Sequence, residues 1–239
     1  MIRLIPNLII ENKQAVKRKA FKKYKYLGDP FNIVKILNDK CIDELIITNI
    51  SVLQDNDIDY IQKLNGVCFM PLCYGGGIRT LGMAKKIMNV GVERIHLNTL
   101  IYENYNELEK IVYHLGGSSV ICVINIKIIN NEIVYVSSCG KENINENITD
   151  VINKLIKLNI SEIMINNVCD ENSKKGYSDQ LIKFVSMLPA YNYLINCGMN
   201  KDDVENSDFV SHNSISGLVG SNYFFCHGRY DGVLVSYDR

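Results

Sequence analysis

The chain has 239 residues, 26 Lys and Arg against 26 Asp and Glu, and a formal net charge of zero. With 47% hydrophobic and 22% charged residues it can bury a sizeable core, which excludes a disordered chain. The balance of charge excludes a whole-molecule field for nucleic acid or an anionic membrane, and no apolar run reaches the roughly 20 residues of a membrane span. No secretory signal is legible at Met1–Ile10, and none of the eight cysteines forms a Cys-x-x-Cys pair. The expectation is a cytoplasmic protein with reduced, mostly structural thiols and no metal site or cofactor.

In chain order, short Ile- and Val-rich runs predict strands at Arg3–Ile10, Glu44–Ile50, Phe69–Tyr74, Arg94–Leu97, Val120–Lys127, Glu162–Asn166, Tyr193–Asn196 and Gly217–Ser221. Helical spacing predicts helices between them, among them Pro30–Asp39, Leu81–Val90, Asn104–His114, Ile148–Leu158 and Ser178–Leu188. Ile133–Ser138 reads as an extra strand after the fifth, and Lys201–Ser216 as polar and irregular. Near-continuous apolar strands alternating with helices belong to a parallel sheet covered on both faces. Eight such units in this length fit one (β/α)8 barrel better than an open doubly wound sheet. Asp43–Ile50 resembles Ser161–Val168, a repeat at about 120 residues, so half-barrels of about 1–118 and 119–239 are expected.

A barrel of this kind keeps its site at the C-terminal ends of its strands. There, Tyr74-Gly75-Gly76-Gly77-Ile78-Arg79 and then Asn98-Thr99 offer bare backbone N–H groups, an amide and a hydroxyl. They make either a phosphate cradle or a tight strand-to-helix turn capped by Thr99. The matching positions of the second half, Asn172, Ser173, Gly198, Gly220 and Ser221, are weaker, because Glu171 repels an anion and Met199 stands where symmetry expects glycine. Strands 1, 2, 5 and 6 end in Ile9, Asn49, Asn125 and Asn166, none of which titrates. His96 reads as structural, and His114, His212 and His227 lack a carboxylate at a useful spacing. Lys17 is the best cation for the mouth. At the opposite end, Arg3, Glu44, Arg94 and Glu162 open strands 1, 2, 4 and 6. They form either salt bridges sealing the core or a paired ring that admits a small polar molecule.

These residues resemble the cyclase subunit of imidazole glycerol phosphate synthase, the HisF family. The resemblance runs from Arg3 to about Phe225, through Arg3-Leu-Ile-Pro-Asn-Leu, Gly28-Asp-Pro, Asp43-Glu-Leu, Tyr74-Gly-Gly-Gly-Ile-Arg79, Leu97-Asn-Thr, Ser138-Cys-Gly-Lys, Lys175-Gly-Tyr and Gly220-Ser. Lys25–Asn32, Met70–Tyr74 and Gly232–Tyr237 look closer to a HisF-like branch found in bacterial surface-sugar clusters. That branch implies a glutaminase partner at the N-terminal face and a sugar amidotransferase beyond it. The resemblance also implies phosphate sites for a phosphorylated small molecule, and an ammonia gate at Arg3, Glu44, Arg94 (Lys in the family) and Glu162. The family's two catalytic aspartates fall on Ile9 and Asn125, and a third on Asn49. The expectation is therefore a glutaminase-docking, ammonia-conducting subunit without cyclase chemistry; an active histidine-pathway cyclase or a phosphosugar-binding scaffold are the alternatives.

Overall fold

The computed structural model describes residues 2–19, 23–54, 57–130, 132–137, 140–168, 176–196, 198–205, 215–221, 223–227 and 233–237. From the N-terminus, β1 (Arg3–Glu11) is followed by an antiparallel ribbon of β2 (Gln14–Lys19) and β3 (Lys23–Gly28), then α1 (Pro30–Asp39) and β4 (Leu45–Asn49). Next come α2 (Asp57–Asn65), β5 (Leu72–Gly75), α3 (Leu81–Asn89), β6 (Arg94–Leu97), α4 (Leu100–Glu103) and α5 (Tyr105–Leu115). The second half holds β7 (Val120–Ile129), β8 (Glu132–Tyr135), α6 (Ile148–Lys157), β9 (Glu162–Asn167), α7 (Asp179–Met187) and β10 (Tyr193–Asn196). It ends with α8 (Lys201–Glu205), β11 (Ile215–Gly220) and a hairpin of β12 (Phe225–His227) and β13 (Val233–Val235).

Eight parallel strands close a barrel in the order β1-β4-β5-β6-β7-β9-β10-β11, and β11 returns to β1 with Arg3 opposite Gly217 and Pro6 opposite Gly220. Both faces of these strands are buried. Leu4, Leu8 and Ile10 of β1 join the outer core under the helices, whereas Ile5 joins a separate inner cluster with Ile46, Cys73, Ile121, Val123, Met164, Leu194 and Val219. The period of two in a strand produces this division, since alternate residues serve opposite faces. Polar side chains start the helices: Asp29, Thr80, Asn104, Asn147 and Ser178 each accept a backbone N–H of the first turn.

The (β/α)8 fold agrees with the pattern in the sequence, and several bounds shift. The third strand begins at Leu72, not Phe69, whose ring is exposed. The eighth begins at Ile215, within the stretch expected to be irregular, and Lys201–Glu205 is a short helix. The extra strand is Glu132–Tyr135, antiparallel to β7. The β2–β3 ribbon was not foreseen: its lysines hide the apolar alternation that usually marks a strand. No helix among the described residues is long and apolar enough to cross a membrane.

Candidate functional site

Four strands set the interior, each adding a layer every second residue. Arg3, Ile5 and Asn7 follow one another on β1; Glu44, Ile46 and Thr48 run into and along β4; Arg94, His96 and Asn98 run along and out of β6; Glu162, Met164 and Asn166 lie on β9. The result is a charged floor, a middle largely of apolar side chains and a mouth of amides.

At the floor the four charges close a ring. Arg3 pairs with Glu44 at 2.7 Å and with Glu162; Arg94 pairs with Glu162 at 2.6 Å and with Glu44 at 3.3 Å. Ser216 Oγ donates to Glu162 at 2.5 Å and Arg94 donates to Ser161 Oγ at 3.0 Å. Both carboxylates are buried, and the Arg3 side chain is 32% exposed, so the ring is reached from outside along Arg3. Burial raises the Glu44 carboxyl above the usual carboxylate range, with Arg94 and Arg3 drawing it back. Burial works against the charge of Arg94, yet Glu162 and Glu44 outweigh it and hold the guanidinium protonated. Just above, burial pushes the Cys73 thiol well up, so it stays neutral in the apolar layer.

At the mouth a cavity of about 320 Å³ opens, lined from the first half by Asn7, Thr48, Asn49, Gly76, Gly77, Asn98 and Thr99 and from the second by Asn125, Asn166 and Asn196. The amides form a chain: Asn166 Nδ2 donates to Asn125 Oδ1 at 2.8 Å, Asn125 Nδ2 to Asn98 Oδ1 at 3.3 Å, and Asn98 Nδ2 to the Val123 carbonyl at 2.6 Å. Thr48 Oγ1 donates to Asn7 Oδ1 at 2.8 Å. Two buried acceptors, Asn166 Oδ1 and Asn196 Oδ1, have no partner among the described residues. His96 Nε2 lies 3.2 Å from the Ile47 carbonyl, which can only accept, so this nitrogen carries the proton. Burial lowers the His96 pKa to about 4, leaving a neutral ring at physiological pH. Among the described residues of the lining, Arg79 is the one that is permanently charged, and Glu103 pairs with it at 2.5 Å. The cavity can bind through hydrogen bonds and shape; among the described residues of its lining no side chain is poised for proton transfer near neutrality.

The glycine run is held by packing as well as by any ligand. A Cβ on Gly76, at φ +107°, would lie 1.8 Å from the Asn49 carbonyl oxygen, and one on Gly75 would strike the His96 ring at 2.3 Å. Thr99 makes no side-chain cap bond to α4, contrary to the simple-turn alternative. Thus Gly76, Gly77, Asn98 and Thr99 come together at one cavity, though Asn98 already spends its amide on the barrel wall. The second-half set is not assembled in the same way. Asn172 and Ser173 lie outside the described residues; Gly198 adopts φ +63°; Gly220 packs near Met199; and Ser221 is buried with Oγ unpaired among the described residues. Ile9 is buried on β1 beside Thr48, and Asn125 lines the mouth. Lys17 sits on β2 opposite Lys25, outside the cavity lining. Sequence reading passed over Asn7, Thr48, Asn196 and His96 as a polar layer; the two-residue step from each floor charge was the signal that could have found the first two and His96.

Comparison with known proteins places these features in a family. The profile of the histidine biosynthesis protein family matches residues 3–227. A Pseudomonas aeruginosa protein named, provisionally, imidazole glycerol phosphate synthase subunit hisF2 is 30% identical over 240 residues, covering 98% of this chain and 95% of its own. A Vibrio vulnificus protein with the provisional name hisF3 subunit of the same synthase is 29% identical over 241 residues, covering 98% and 92%. The imidazole glycerol phosphate synthase subunit HisF of Exiguobacterium sibiricum is 26% identical over 186 residues, covering 77% and 75%. With its family profile matched over nearly the whole barrel, the chain belongs to the histidine biosynthesis protein family, as one of its HisF-like members.

Proposed function

We propose that this chain is the barrel subunit of a glutamine amidotransferase. It docks a glutaminase at its N-terminal face, conducts ammonia through the barrel and releases it at the mouth for amidation of a sugar in surface-polysaccharide synthesis. The observation that carries this reading is the contrast along one axis: a complete four-charge ring at the floor, and Ile9 and Asn125 where a HisF cyclase places its aspartates. A general acid or base contributes about 10²–10⁴-fold to a rate, and neither stands at Ile9 or Asn125, which supports a subunit that does not cyclise efficiently. The apolar middle of the barrel excludes ammonium, whose charge cannot be solvated there, and admits neutral ammonia.

The N-terminal face supports a docking role. Phe69, Tyr113 and Met187 are each more than 80% exposed at or just beyond the C-terminal ends of α2, α5 and α7, on the side of the ring. A stable glutaminase complex would bury about 1,600 Å² there. Phosphate binding at Gly76, Gly77, Asn98 and Thr99 is part of the same proposal, with Gly198, Gly220 and Ser221 as its weaker counterpart and Lys17 as a cation beside the mouth. Co-expression with the glutaminase of the same genome tests it. The expected result is co-purification and stimulated glutamine hydrolysis, with Arg3→Ala uncoupling hydrolysis from use of its ammonia at the mouth. Enzyme-like turnover of the cyclase substrate with free ammonia by the purified chain would overturn it.

A further inference from the structure

One polar layer lies between the apolar middle of the barrel and its mouth, and only half of it is satisfied. Asn7, Thr48, Asn166 and Asn196 each stand two residues beyond a member of the inner apolar cluster, namely Ile5, Ile46, Met164 and Leu194. A strand's period of two turns all four toward the axis, and all four line the mouth cavity. On the β1–β4 side the layer closes on itself. Thr48 Oγ1 donates to Asn7 Oδ1 at 2.8 Å and lies 3.3 Å from His96 Nε2. On the β9–β10 side it stays open. Asn166 and Asn196 are partners in the parallel register, 9% and 2% exposed, and the Oδ1 of each has no partner among the described residues.

The direction of the amide chain makes the Asn166 oxygen a bare acceptor. The Val123 carbonyl can only accept, so Asn98 must face it with its nitrogen and offer its oxygen to Asn125. Asn125 then offers its own oxygen to the Asn166 nitrogen, and turning the Asn166 amide over would break that bond of 2.8 Å. Amides donating in series polarise one another, which strengthens the oxygen at the open end as an acceptor. Whatever completes this end must donate hydrogens, and it meets no charge on Asn166 or Asn196. Neighbouring strands lie about 4.8 Å apart, the span that one tetrahedral nitrogen bridges with two N–H···O bonds of about 2.9 Å.

We propose that Asn166 Oδ1 and Asn196 Oδ1 capture ammonia as it leaves the apolar middle, holding it through its hydrogens so that its lone pair stays free for attack. The inference rests on the reading of the barrel as an ammonia conduit and deepens it by naming positioning residues at the exit. Neutral oxygens suit this task. A carboxylate at either position would favour ammonium, which has no lone pair to attack with, whereas a buried cation with only neutral partners is poorly compensated. The neighbouring donors are engaged elsewhere: the Asn98, Asn125 and Asn166 nitrogens and the Thr48 hydroxyl all donate to protein atoms. Water is the competitor for the same two oxygens, and the experiment separates the two.

The test follows the asparagine side-chain carbonyls by NMR, in the full chain carrying asparagine labelled with carbon-13 at Cγ. Ammonium chloride is titrated against sodium chloride at constant chloride, and the signals are assigned through Asn196→Leu and Asn166→Ser. The expected result is a saturable shift at Asn166 and Asn196, transmitted to Asn125 and Asn98, with Asn153 on the exposed face of α6 unmoved. Binding of the neutral form releases one proton from ammonium, so about tenfold less total ammonia should suffice at about pH 8 than at about pH 7. Among the described residues of the lining, His96 is neutral and Arg79 charged throughout that range, so the dependence belongs to the ligand. Asn196→Leu removes a buried acceptor that has no described partner and should keep the fold, checked by thermal denaturation, while weakening binding about tenfold, the loss of one hydrogen bond. No shift beyond that of sodium chloride would leave water as the occupant and overturn the proposal. So would an equal response at both pH values for the same total ammonium, which would identify the cation as the ligand, and so would unchanged binding in Asn196→Leu. The titration needs no partner chain. Its failure while a glutaminase still co-purifies and is stimulated would strike this site alone, and failed docking with the titration intact would strike the conduit reading alone.

Discussion

The floor and the mouth of this barrel are both polar layers bordering an apolar middle, yet they satisfy their polarity in opposite ways. At the floor, two arginines and two glutamates meet at 2.6 to 3.3 Å in all but one of their contacts, and Ser216 and Ser161 bind further atoms. Arg94 Nε is the one side-chain atom of the ring left without a partner among the described residues. At the mouth the side chains within the barrel are neutral amides, a hydroxyl and an uncharged imidazole, and two amide oxygens are left over. Buried charge is tolerated only when its partners complete it, so the floor is a finished structure. A buried acceptor without a donor is retained at a cost, and such atoms concentrate where something else is meant to bind.

The sharpest way to break this comparison is to open the ring. Glu162→Ala leaves two guanidiniums facing one carboxylate in a buried setting, and should cost about 3–5 kcal/mol of unfolding free energy in urea denaturation. A loss below about 1 kcal/mol would mean that the floor is hydrated and unlike the mouth in name only. At the mouth, the corresponding effect appears through pH. His96 is buried and its pKa lies at about 4 in the folded chain, against about 6.5 when exposed. A base with a depressed folded pKa favours folding fully above the unfolded value and loses that contribution as pH falls. Stability should therefore decline from about pH 6.5 to 4 by about 3 kcal/mol on this account alone. His96→Gln should flatten that part of the curve relative to the unmodified chain, measured by denaturation at each pH.

Much of this architecture is legible in the chain. The bounds of β6, β10 and α1 follow from apolar runs and from Asp29-Pro30 ahead of the helix, because those signals are local. The floor is legible too, since each charge opens an apolar run and a strand's period of two points it along the barrel axis. The amide chain is not: nothing local joins Asn98, Asn125 and Asn166, whose contact requires the parallel pairing of β6, β7 and β9. The β2–β3 ribbon escaped for a different reason, its strands being defined by register and charge instead of buried alternation.

A smaller effect tests whether the mouth is shaped by backbone packing. Gly76→Ala forces a side chain into left-handed backbone against the Asn49 carbonyl, and should cost about 2–3 kcal/mol by thermal denaturation. Gly82, inside α3 with ordinary backbone angles and its nearest neighbour 3.9 Å away, is the internal comparison. Gly82→Ala should instead add about 0.5–1 kcal/mol through helix propensity. Equal outcomes at the two positions would show that the glycine run is free of its neighbours and exists for a ligand alone.

The smallest effect isolates burial from charge. Arg79 and Glu103 form an ion pair at the rim of the mouth, 2.5 Å apart, in the same chemical groups as the floor. Their side chains are 61% and 47% exposed, so water and salt screen the pair and each side chain gives up rotamer freedom to form it. A double-mutant cycle with Arg79→Ala and Glu103→Ala should give a coupling below about 1 kcal/mol that fades with added salt. The floor coupling between Arg94 and Glu162, with side chains 15% and 7% exposed, should be several-fold larger and nearly insensitive to salt. Were the two couplings alike, the distance between charges would govern both ends of the barrel. A difference would assign the floor's strength to its enclosure, since water and salt reach the rim pair and not the buried one.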